Sequence, residues 1–303
     1  MYEDDDPRYL NTKITQTIGL VQKDVKFTYD LATGENTIIE RYLDGLLKVK
    51  TTNAYDVHGR LTGIEHRNSS NAVIANDIYV LDDLDRVRTQ TLNGAPRTIG
   101  YDDTDQVVSV AGSNPEGYAY DLNGNRTNAG YVTVSGNRLM SDGTYSYDYD
   151  AEGNRLSRTK ISDSSVELYT WDYRNRLKSI VSKTSMTGTV TRTVGYEYDV
   201  DDQRVRKSVT SATPSAGDGV ENYYLDGNQI ALVTDGGGNK TFHYLYGLNV
   251  DAVLAQDSPA GMVWALADRL GSVDTLTDSD GVPLLTGNIL KAVTYYCTGV
   301  YLL

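Results

Sequence analysis

The stretch Tyr145–Ser157, Y-S-Y-D-Y-D-A-E-G-N-R-L-S, joins the pattern of a β-strand to the residues of a tight turn. Three tyrosines alternate with polar residues, which places their rings on one face of a pleated strand. Asp150 can accept a hydrogen bond from the backbone two residues ahead, and Gly153 tolerates a left-handed conformation. Because an alternating pattern resumes at Asn154, the stretch predicts a β-hairpin.

The same phrase recurs along the chain as an aromatic residue, an Asp, a turn residue and an Arg. The best matches are Tyr55, Asp56, Gly59 and Arg60; Tyr120, Asp121, Gly124 and Arg126; Tyr149, Asp150, Gly153 and Arg155; Trp171, Asp172 and Arg176; and Tyr198, Asp199 and Arg204. Weaker copies contain Asp30, Asp82 and Asp102, so that successive marker aspartates lie 19 to 29 residues apart. Repeats of this size indicate an array of structural units.

The array predicts an all-β fold of antiparallel hairpins. Helical periodicity is nearly absent, and the 28 Gly residues together with frequent Asn and Asp disfavour long helices. Eight to ten hairpins give roughly 16–20 strands, which would make a flat sheet ~80–95 Å wide. Open sheets of more than ~10 strands curl, and strand twist has one hand. We therefore expect a curled, spiral or partly open shell-like sheet.

The pattern divides the chain into four predicted segments. They are an atypical N-terminal edge hairpin at 1–25, the hairpin repeats at 26–207, further hairpins of a second pattern at 208–283, and a divergent or truncated tail at 284–303. The polar, Gly-rich stretch Ser211–Gly219 is expected to be a long hairpin tip, because the strand pattern restarts directly after it.

Composition excludes several classes of function. The formal net charge of −13 lacks the clustered Lys and Arg that DNA or RNA binding requires, so no nucleic-acid partner is expected. No run approaches the ~18 apolar residues of a membrane-spanning helix. The acidic start of the chain, Glu3–Asp6, is the reverse of a basic secretory signal, so no signal peptide is expected. The single Cys297 cannot form an intrachain disulfide.

The recurrent charged residues are predicted to be structural rather than catalytic. One Asp per hairpin, beside Gly or Asn, fits a side chain that caps its own turn. The Arg residues recur at one offset in the phrase, and we expect each to bond Asp or stack on Tyr of a neighbouring hairpin. The alternative is a hydrolase, which would need two free carboxyl groups ~5–10 Å apart.

No cofactor or metal site is predicted. The chain has no nucleophile elbow, phosphate-binding loop or dinucleotide fingerprint. Asp201–Asp202 and Asp278–Gly281 lack the closing Glu of a calcium loop, and three scattered His residues do not make a zinc site. We therefore predict that the chain is not an enzyme.

The phrase Y-x-Y-D-x-x-G-N-R-L resembles that of the YD-repeat (RHS) proteins over roughly residues 27–283. The segment Tyr223–Pro283 also resembles their RHS-associated core region. Its motif residues here are Asp268, Leu270, Gly271, Ser272 and Gly281. Asp274 stands where the family usually has Arg, which puts the ion pair of that Arg in doubt. The self-cleavage motif D-P-x-G of many bacterial members is missing, so no cleavage residues are carried over.

The resemblance implies a hollow β-shell of the bacterial polymorphic-toxin type, which often encloses a toxic C-terminal polypeptide. Related shells are found in insecticidal toxin complexes and in adhesion proteins. We accordingly predict a non-catalytic shell segment, secreted or at the cell surface, that encloses or presents its own or an adjacent C-terminal cargo polypeptide. The alternative is a cell-surface adhesion or carbohydrate-binding module, whose Tyr-rich wall of 24 Tyr residues would bind glycans.

Overall fold

The computed structural model describes residues 2–3, 10, 12–249 and 251–284. These residues form strands and turns, with no helix among them, which confirms the predicted all-β class. The strands belong to two open antiparallel sheets in which each strand pairs with the next along the chain. There are more strands than the roughly 16–20 expected from repeat number, because the segments outside the repeat phrase pair as well.

The first sheet has 11 strands. In chain order they are β1 (Tyr2–Glu3), β2 (Lys13–Ile18), β3 (Val21–Tyr29), β4 (Asn36–Leu43), β5 (Leu46–Tyr55), β6 (Leu61–Asn68), β7 (Val73–Leu81), β8 (Val87–Leu92), β9 (Ala95–Tyr101), β10 (Val107–Ala111) and β11 (Glu116–Gly117).

The second sheet has 14 strands. In chain order they are β12 (Tyr131–Val134), β13 (Arg138–Asp142), β14 (Tyr145–Tyr149), β15 (Arg155–Lys160), β16 (Val166–Trp171), β17 (Leu177–Lys183), β18 (Val190–Tyr198), β19 (Arg204–Ser211), β20 (Gly219–Asp226), β21 (Gln229–Asp235), β22 (Lys240–Tyr246), β23 (Val253–Ser258), β24 (Gly261–Ala267) and β25 (Val273–Asp278).

The hairpins share a register shift next to their turns. In the β14–β15 pair the ladder runs regularly to Asp148↔Ser157 and then shifts to Tyr149↔Arg155. Equivalent shifts precede the turns of β5–β6, β7–β8, β16–β17 and β18–β19. The shift leaves one extra residue on the returning strand, Leu156 in the β14–β15 pair, and such a β-bulge strengthens the local twist.

The chain divides into two compact units. Unit 1 consists of the described residues within Met1–Tyr101, Ser109–Glu116 and Phe242–Leu303. Unit 2 consists of the described residues within Asp102–Val108 and Gly117–Thr241. Unit 1 thus brings together strands from the beginning and the end of the chain. Of the predicted tail at 284–303, only Leu284 lies among the described residues.

Unit 1 contains an apolar core between strands of both sheets. Alternation along β3 and β24 directs apolar side chains inward, where Trp264 and Val25 are fully buried. The buried cluster consists of Ile14, Val25, Phe27, Val49, Leu245, Leu254, Ala255, Trp264 and Leu266. Burying an aromatic or branched side chain contributes about 1.5–3 kcal/mol. Unit 1 is therefore two layers thick around this core, whereas the predicted sheet width assumes a single layer.

Unit 2 buries its apolar side chains more sparsely. They lie one to a strand on β14, β16, β18, β19, β20 and β21: Tyr147, Val166, Val194, Val209, Tyr223 and Val233. Arg side chains lie over the rings of Tyr147 and Tyr223. Within the part of the chain that the structure describes, no helix has the length and apolarity needed to cross a lipid bilayer.

Candidate functional site

The recurrent Asp of the phrase caps its own turn. At Asp172 the side-chain Oδ1 accepts hydrogen bonds from the backbone N–H of Arg174 (2.9 Å) and Arg176 (3.0 Å). The backbone N–H of Asp172 also donates to the carbonyl of Arg176 (3.0 Å). Oδ1 accepts the same pair of bonds at Asp56, Asp82, Asp102, Asp121, Asp199, Asp235, Asp268 and Asp278. The carboxylate thereby holds donors that the turn would otherwise leave unpaired.

The third residue after the Asp takes a left-handed conformation. Gly153 has φ 93° and Gly124 has φ 81°, but Asn175 (58°) and Asp202 (66°) fill the same position without glycine. Asn and Asp enter this region more readily than other side chains because they hydrogen-bond locally. The turn therefore persists where the sequence loses its Gly, as at Asp199–Asp202.

Hydrogen bonds to the capping carboxylates favour their charged form. A side-chain hydrogen bond from Arg86 lowers the pKa of Asp82. The side-chain amides of Asn125 and Asn239 lower the pKa of Asp121 and Asp235 in the same way. These aspartates are consequently anionic acceptors at neutral pH, which suits a cap and opposes a role as proton donor.

The aromatic residue before the Asp connects its hairpin to the preceding one. The hydroxyl of Tyr198 donates to the carbonyl of Leu177 (2.9 Å), and the indole Nε1–H of Trp171 donates to the carbonyl of Arg155 (2.8 Å). The other bonds of this type run from Tyr55 to Asn36, from Tyr101 to Val87, from Tyr120 to Val107 and from Tyr149 to Leu139. A Trp can replace Tyr because both rings carry a donor at their far edge.

The fourth residue after the Asp connects its hairpin to the following one. Arg176 donates to Asp172 Oδ2 (2.7 Å) and reaches the next tip at the carbonyl of Asp199 (3.1 Å) and at Asp202 Oδ1 (2.8 Å). Its guanidinium also lies over the ring of Tyr198, 5.0 Å from the centroid. Arg60 makes the equivalent bonds to Asp56, Asp82 and Asp85. At other tips Asn154 bonds Asn175 and Gln203 bonds Asn228.

The fifth residue after the Asp lies on the opposite face of its strand. Arg204 stacks on Tyr196 (5.5 Å) and on Tyr223 of the next hairpin (5.2 Å). Arg126 and Arg155 stack in the same manner on tyrosines of their own and the next hairpin. The prediction that all five Arg share one offset is wrong: Arg60 and Arg176 follow their Asp by four residues and the others by five. Since neighbouring side chains alternate faces, the two sets serve different contacts.

We call this set of contacts the inter-hairpin junction: the aromatic residue, the capping Asp and the side chains four and five residues after it. Each junction ties one hairpin to the hairpins before and after it, and the phrase repeats it along the chain. Its carboxylates are occupied by backbone and Arg donors. Among the described residues no group of three or more His, Cys, Asp or Glu is arranged to hold a metal ion.

The residues assigned to the core motif form two of these turns in unit 1. Asp268 caps the β24–β25 turn through the N–H groups of Leu270 and Ser272, and Gly271 takes φ 81° there. Leu270 itself is exposed. Gly281 lies in the turn after β25, where a Cβ would stand 2.5 Å from the carbonyl oxygen of Lys48. Gly281 is thus required by close approach as well as by its positive φ.

A buried polar group in unit 1 was not predicted from the sequence. Arg41 donates to Thr51 Oγ1 (2.7 Å), and Thr51 Oγ1 lies 2.8 Å from Nδ1 of His66. Because Arg is only a donor, the Thr hydroxyl is free to donate to His66, which leaves the imidazole proton on Nε2. Burial, and then the charge of Arg41, lower the pKa of His66 to about 3, so the ring is neutral. Also in unit 1, Lys23 pairs with Asp257 across the layers.

The capped, mutually bonded hairpins define this chain as an all-β hairpin-array protein. Three solved structures share its fold: a TcdB2–TccC3–TEV crystal structure, a TcdB2–TccC3 crystal structure, and a Tc holotoxin pore of Photorhabdus luminescens. Their TM-scores are 0.60, 0.59 and 0.59 at 18%, 16% and 16% sequence identity, over 87%, 92% and 92% of this chain.

The chain spans less than a fifth of the proteins that it resembles in structure, covering 17%, 18% and 17% of those three chains. No family model matches the sequence, and no curated protein matches it either. The likeness to toxin-complex chains is therefore one of fold.

Proposed function

We propose that this chain is a structural shell segment of an RHS/YD-repeat protein that encloses or presents a C-terminal, toxin-type cargo polypeptide. It contributes no catalysis of its own and acts outside the producing cell, in a secreted or cell-surface particle. The observation that carries the proposal is the fold shared with toxin-complex chains over 87–92% of this chain. The repeat phrase supports the same class by its resemblance to the YD-repeat family.

The inter-hairpin junction supports a scaffold rather than a catalyst. Its capping carboxylates accept backbone hydrogen bonds, and its Arg side chains bond or stack on neighbouring hairpins. A general acid or base would instead need a carboxyl group free to exchange protons with a substrate. Repetition of one junction along the chain suits a wall that is extended hairpin by hairpin.

Glycan binding has less support from the geometry. Stacking on a sugar needs an open aromatic face, but Arg side chains cover the rings of Tyr147, Tyr196, Tyr198 and Tyr223. The hydroxyl of Tyr198 is engaged with a backbone carbonyl. These four tyrosines thus serve the wall itself.

Limited proteolysis of the natural full-length product tests the proposal. The cargo segment should be digested more slowly within the product than as an isolated polypeptide, because the wall excludes the protease. Loosening the wall by Trp171→Ala and Tyr198→Ala, which each remove a bond between hairpins, should speed digestion of the cargo. Equal digestion rates of enclosed and isolated cargo would refute enclosure.

A further inference from the structure

The two layers of unit 1 are joined by side chains rather than by a backbone ladder. In the described part of the chain, backbone pairing links strands that follow each other in sequence. Strands β2–β7 of one layer and β22–β25 of the other are therefore held together by the apolar cluster and by a few polar contacts. We call this contact between the two sets of strands the layer interface.

Apolar packing alone does not specify which hairpins meet at the layer interface. Its strands are all 6 to 10 residues long and turn apolar side chains to one face. Hydrophobic attraction has no direction, so a packing shifted by one hairpin, or against a second copy of the chain, would also bury apolar side chains. Selection of one arrangement therefore requires contacts that a wrong arrangement leaves unsatisfied.

Lys23 places a charged group inside the layer interface. It is 1% exposed, and alternation along β3 puts it on the same face as the buried Val25. Its ammonium group donates to Asp257 of β23 and to Gln16 Oε1 of β2 (2.7 Å). Gln16 donates in turn to the carbonyl of Tyr244 in β22 (3.0 Å). Burial lowers the pKa of Lys23 more than its bond to Asp257 raises it, which shows that the charge is costly here.

Arg41 is a second buried cation of the layer interface. It is 3% exposed and donates across the interface to the carbonyl of Ala265 in β24 (3.5 Å) and within its own layer to Thr51 (2.7 Å). Its Nε is buried without a hydrogen-bond partner among the described residues. Burial lowers its pKa to about 10, so the guanidinium is charged at neutral pH. Stability does not explain a buried charge that is compensated so poorly.

We propose that Lys23, Asp257 and Arg41 determine which hairpins pack together in unit 1, and that this selection, rather than added stability, is their role. In the observed arrangement each cation reaches an acceptor in the opposite layer. In a packing shifted by one hairpin, or against a second copy, the same cations would be buried without those acceptors. Apolar side chains of similar size would remove that penalty and admit the wrong packings.

Refolding of the full chain with the ion pair replaced by apolar residues tests this role. Lys23→Met together with Asp257→Leu should leave the urea midpoint of unit 1 unchanged or higher, as reported by Trp264 fluorescence in a Trp171→Phe background. The refolded protein should nevertheless contain several species by size-exclusion chromatography with light scattering, where the wild type gives one. Neither cargo nor toxin partner is needed, so the result is independent of the proposed function.

Arg41→Met is a second variant that does not touch the ion pair. It should raise the urea midpoint of unit 1, because it removes a poorly compensated charge while Thr51 keeps its bond to His66. It should also increase the number of refolded species. Both readouts are needed, since a merely stabilising residue would lower the midpoint on replacement and leave one species.

The matched control is Lys160→Met together with Asp163→Leu. This pair lies in unit 2, within one hairpin, and its side chains are 39% and 50% exposed. The control adds the same apolar groups at the surface and should still refold to one species. Equal heterogeneity in the control would assign the effect to added apolar side chains and overturn the proposal.

Two other outcomes would overturn it. One refolded species in either test variant would remove the replaced residues from the selection of partners. A lower midpoint of unit 1, or a failure to refold, in both test variants would show that these residues act by stabilising the fold.

Discussion

At the scale of single residues, the turn depends on one left-handed position rather than on glycine as such. Gly153 and Asn175 occupy that position in neighbouring hairpins with φ 93° and 58°. An L-residue other than Asn or Asp pays about 1–2 kcal/mol there, because its Cβ approaches the following carbonyl oxygen. The recurrent D-x-x-G and D-x-x-N phrases are therefore two solutions to one backbone requirement.

Gly153→Ala should lower the free energy of unfolding of unit 2 by about 1 kcal/mol, since the strain exceeds the entropy that Ala removes from the unfolded chain. A Cβ at Gly153 would meet no atom within 4 Å, so a steric clash does not complicate the result. Urea unfolding monitored by circular dichroism measures the change.

Gly217→Ala is the matched control for this substitution. Gly217 lies in the same unit and in equally open space, but outside the left-handed region. Its replacement should be neutral or stabilise by up to about 1 kcal/mol. An equal loss of stability in both variants would show that the left-handed conformation is not the cause.

Asp274 should make unit 1 less stable at neutral than at mildly acidic pH. Its pKa in the folded chain, about 6, lies above the ordinary 3.8, so the folded state holds the proton more tightly. That contribution to stability is fully present below pH 3.8 and is lost as pH rises through 6. At pH 7.5 the free energy of unfolding of Asp274→Asn should exceed that of wild type by about 1–2 kcal/mol, after allowance for partial exposure. At pH 4 the two free energies should be equal.

The contribution of Asp274 is isolated by the difference in free energy of unfolding between wild type and Asp274→Asn. His66 titrates with the opposite sign, because its pKa is lowered to about 3 and the unfolded chain binds the proton first. That contribution is common to wild type and variant and cancels. A difference that stays constant from pH 7.5 to 4 would contradict the raised pKa of Asp274.

At the scale of hairpins, the sequence carries the information for each turn and each face but not for partners in the other layer. The capping Asp, the left-handed residue and the alternating tyrosines lie within one short phrase, so local pattern predicts them. The pairing of Lys23 with Asp257, and of Arg41 with the carbonyl of Ala265, depends on which strands face each other. Nothing in a local pattern specifies that.

The prediction of one offset for the repeat arginines is wrong for a related reason. The Arg follows the capping Asp by four residues in some hairpins and by five in others. This one-residue difference moves the Arg side chain to the other face of the strand. The sequence does separate the two positions, since Leu61 and Leu177 directly follow Arg60 and Arg176 at the position where the other three hairpins carry their Arg.

Arg176 should couple the stability of its hairpin to that of the next one. A double-mutant cycle of Arg176→Ala and Asp202→Ala should give a clear favourable coupling, because the bond of 2.8 Å belongs to a network with Asp172 and the carbonyl of Asp199. Urea unfolding of the four proteins supplies the cycle.

The pair Arg206 and Glu197 provides the comparison within the same sheet. Their 3.5 Å contact joins side chains that are 43% and 65% exposed, so solvent screens it and no network supports it. Its cycle should give little or no coupling. Similar values for both cycles would mean that the inter-hairpin junction adds nothing beyond an ordinary surface ion pair.

At the scale of the whole molecule, the two units differ in how they are stabilised. Unit 1 encloses a continuous apolar cluster around Trp264, whereas the buried apolar side chains of unit 2 lie one to a strand. Burial of apolar area is the main favourable contribution to folding. Unit 2 relies more on its hydrogen bonds and on Arg–Tyr stacking, which contribute about 0.5–1.5 kcal/mol each.

Unit 2 should therefore unfold at a lower urea concentration than unit 1. The only two Trp residues report on them separately, since Trp171 lies in unit 2 and Trp264 in unit 1. In Trp264→Phe the remaining fluorescence follows unit 2, and in Trp171→Phe it follows unit 1. The first should change at the lower midpoint, because each variant alters only the unit that its remaining Trp does not report on. Coincident midpoints by both probes would mean instead that the array unfolds as one cooperative structure and that the division by contacts has no energetic counterpart.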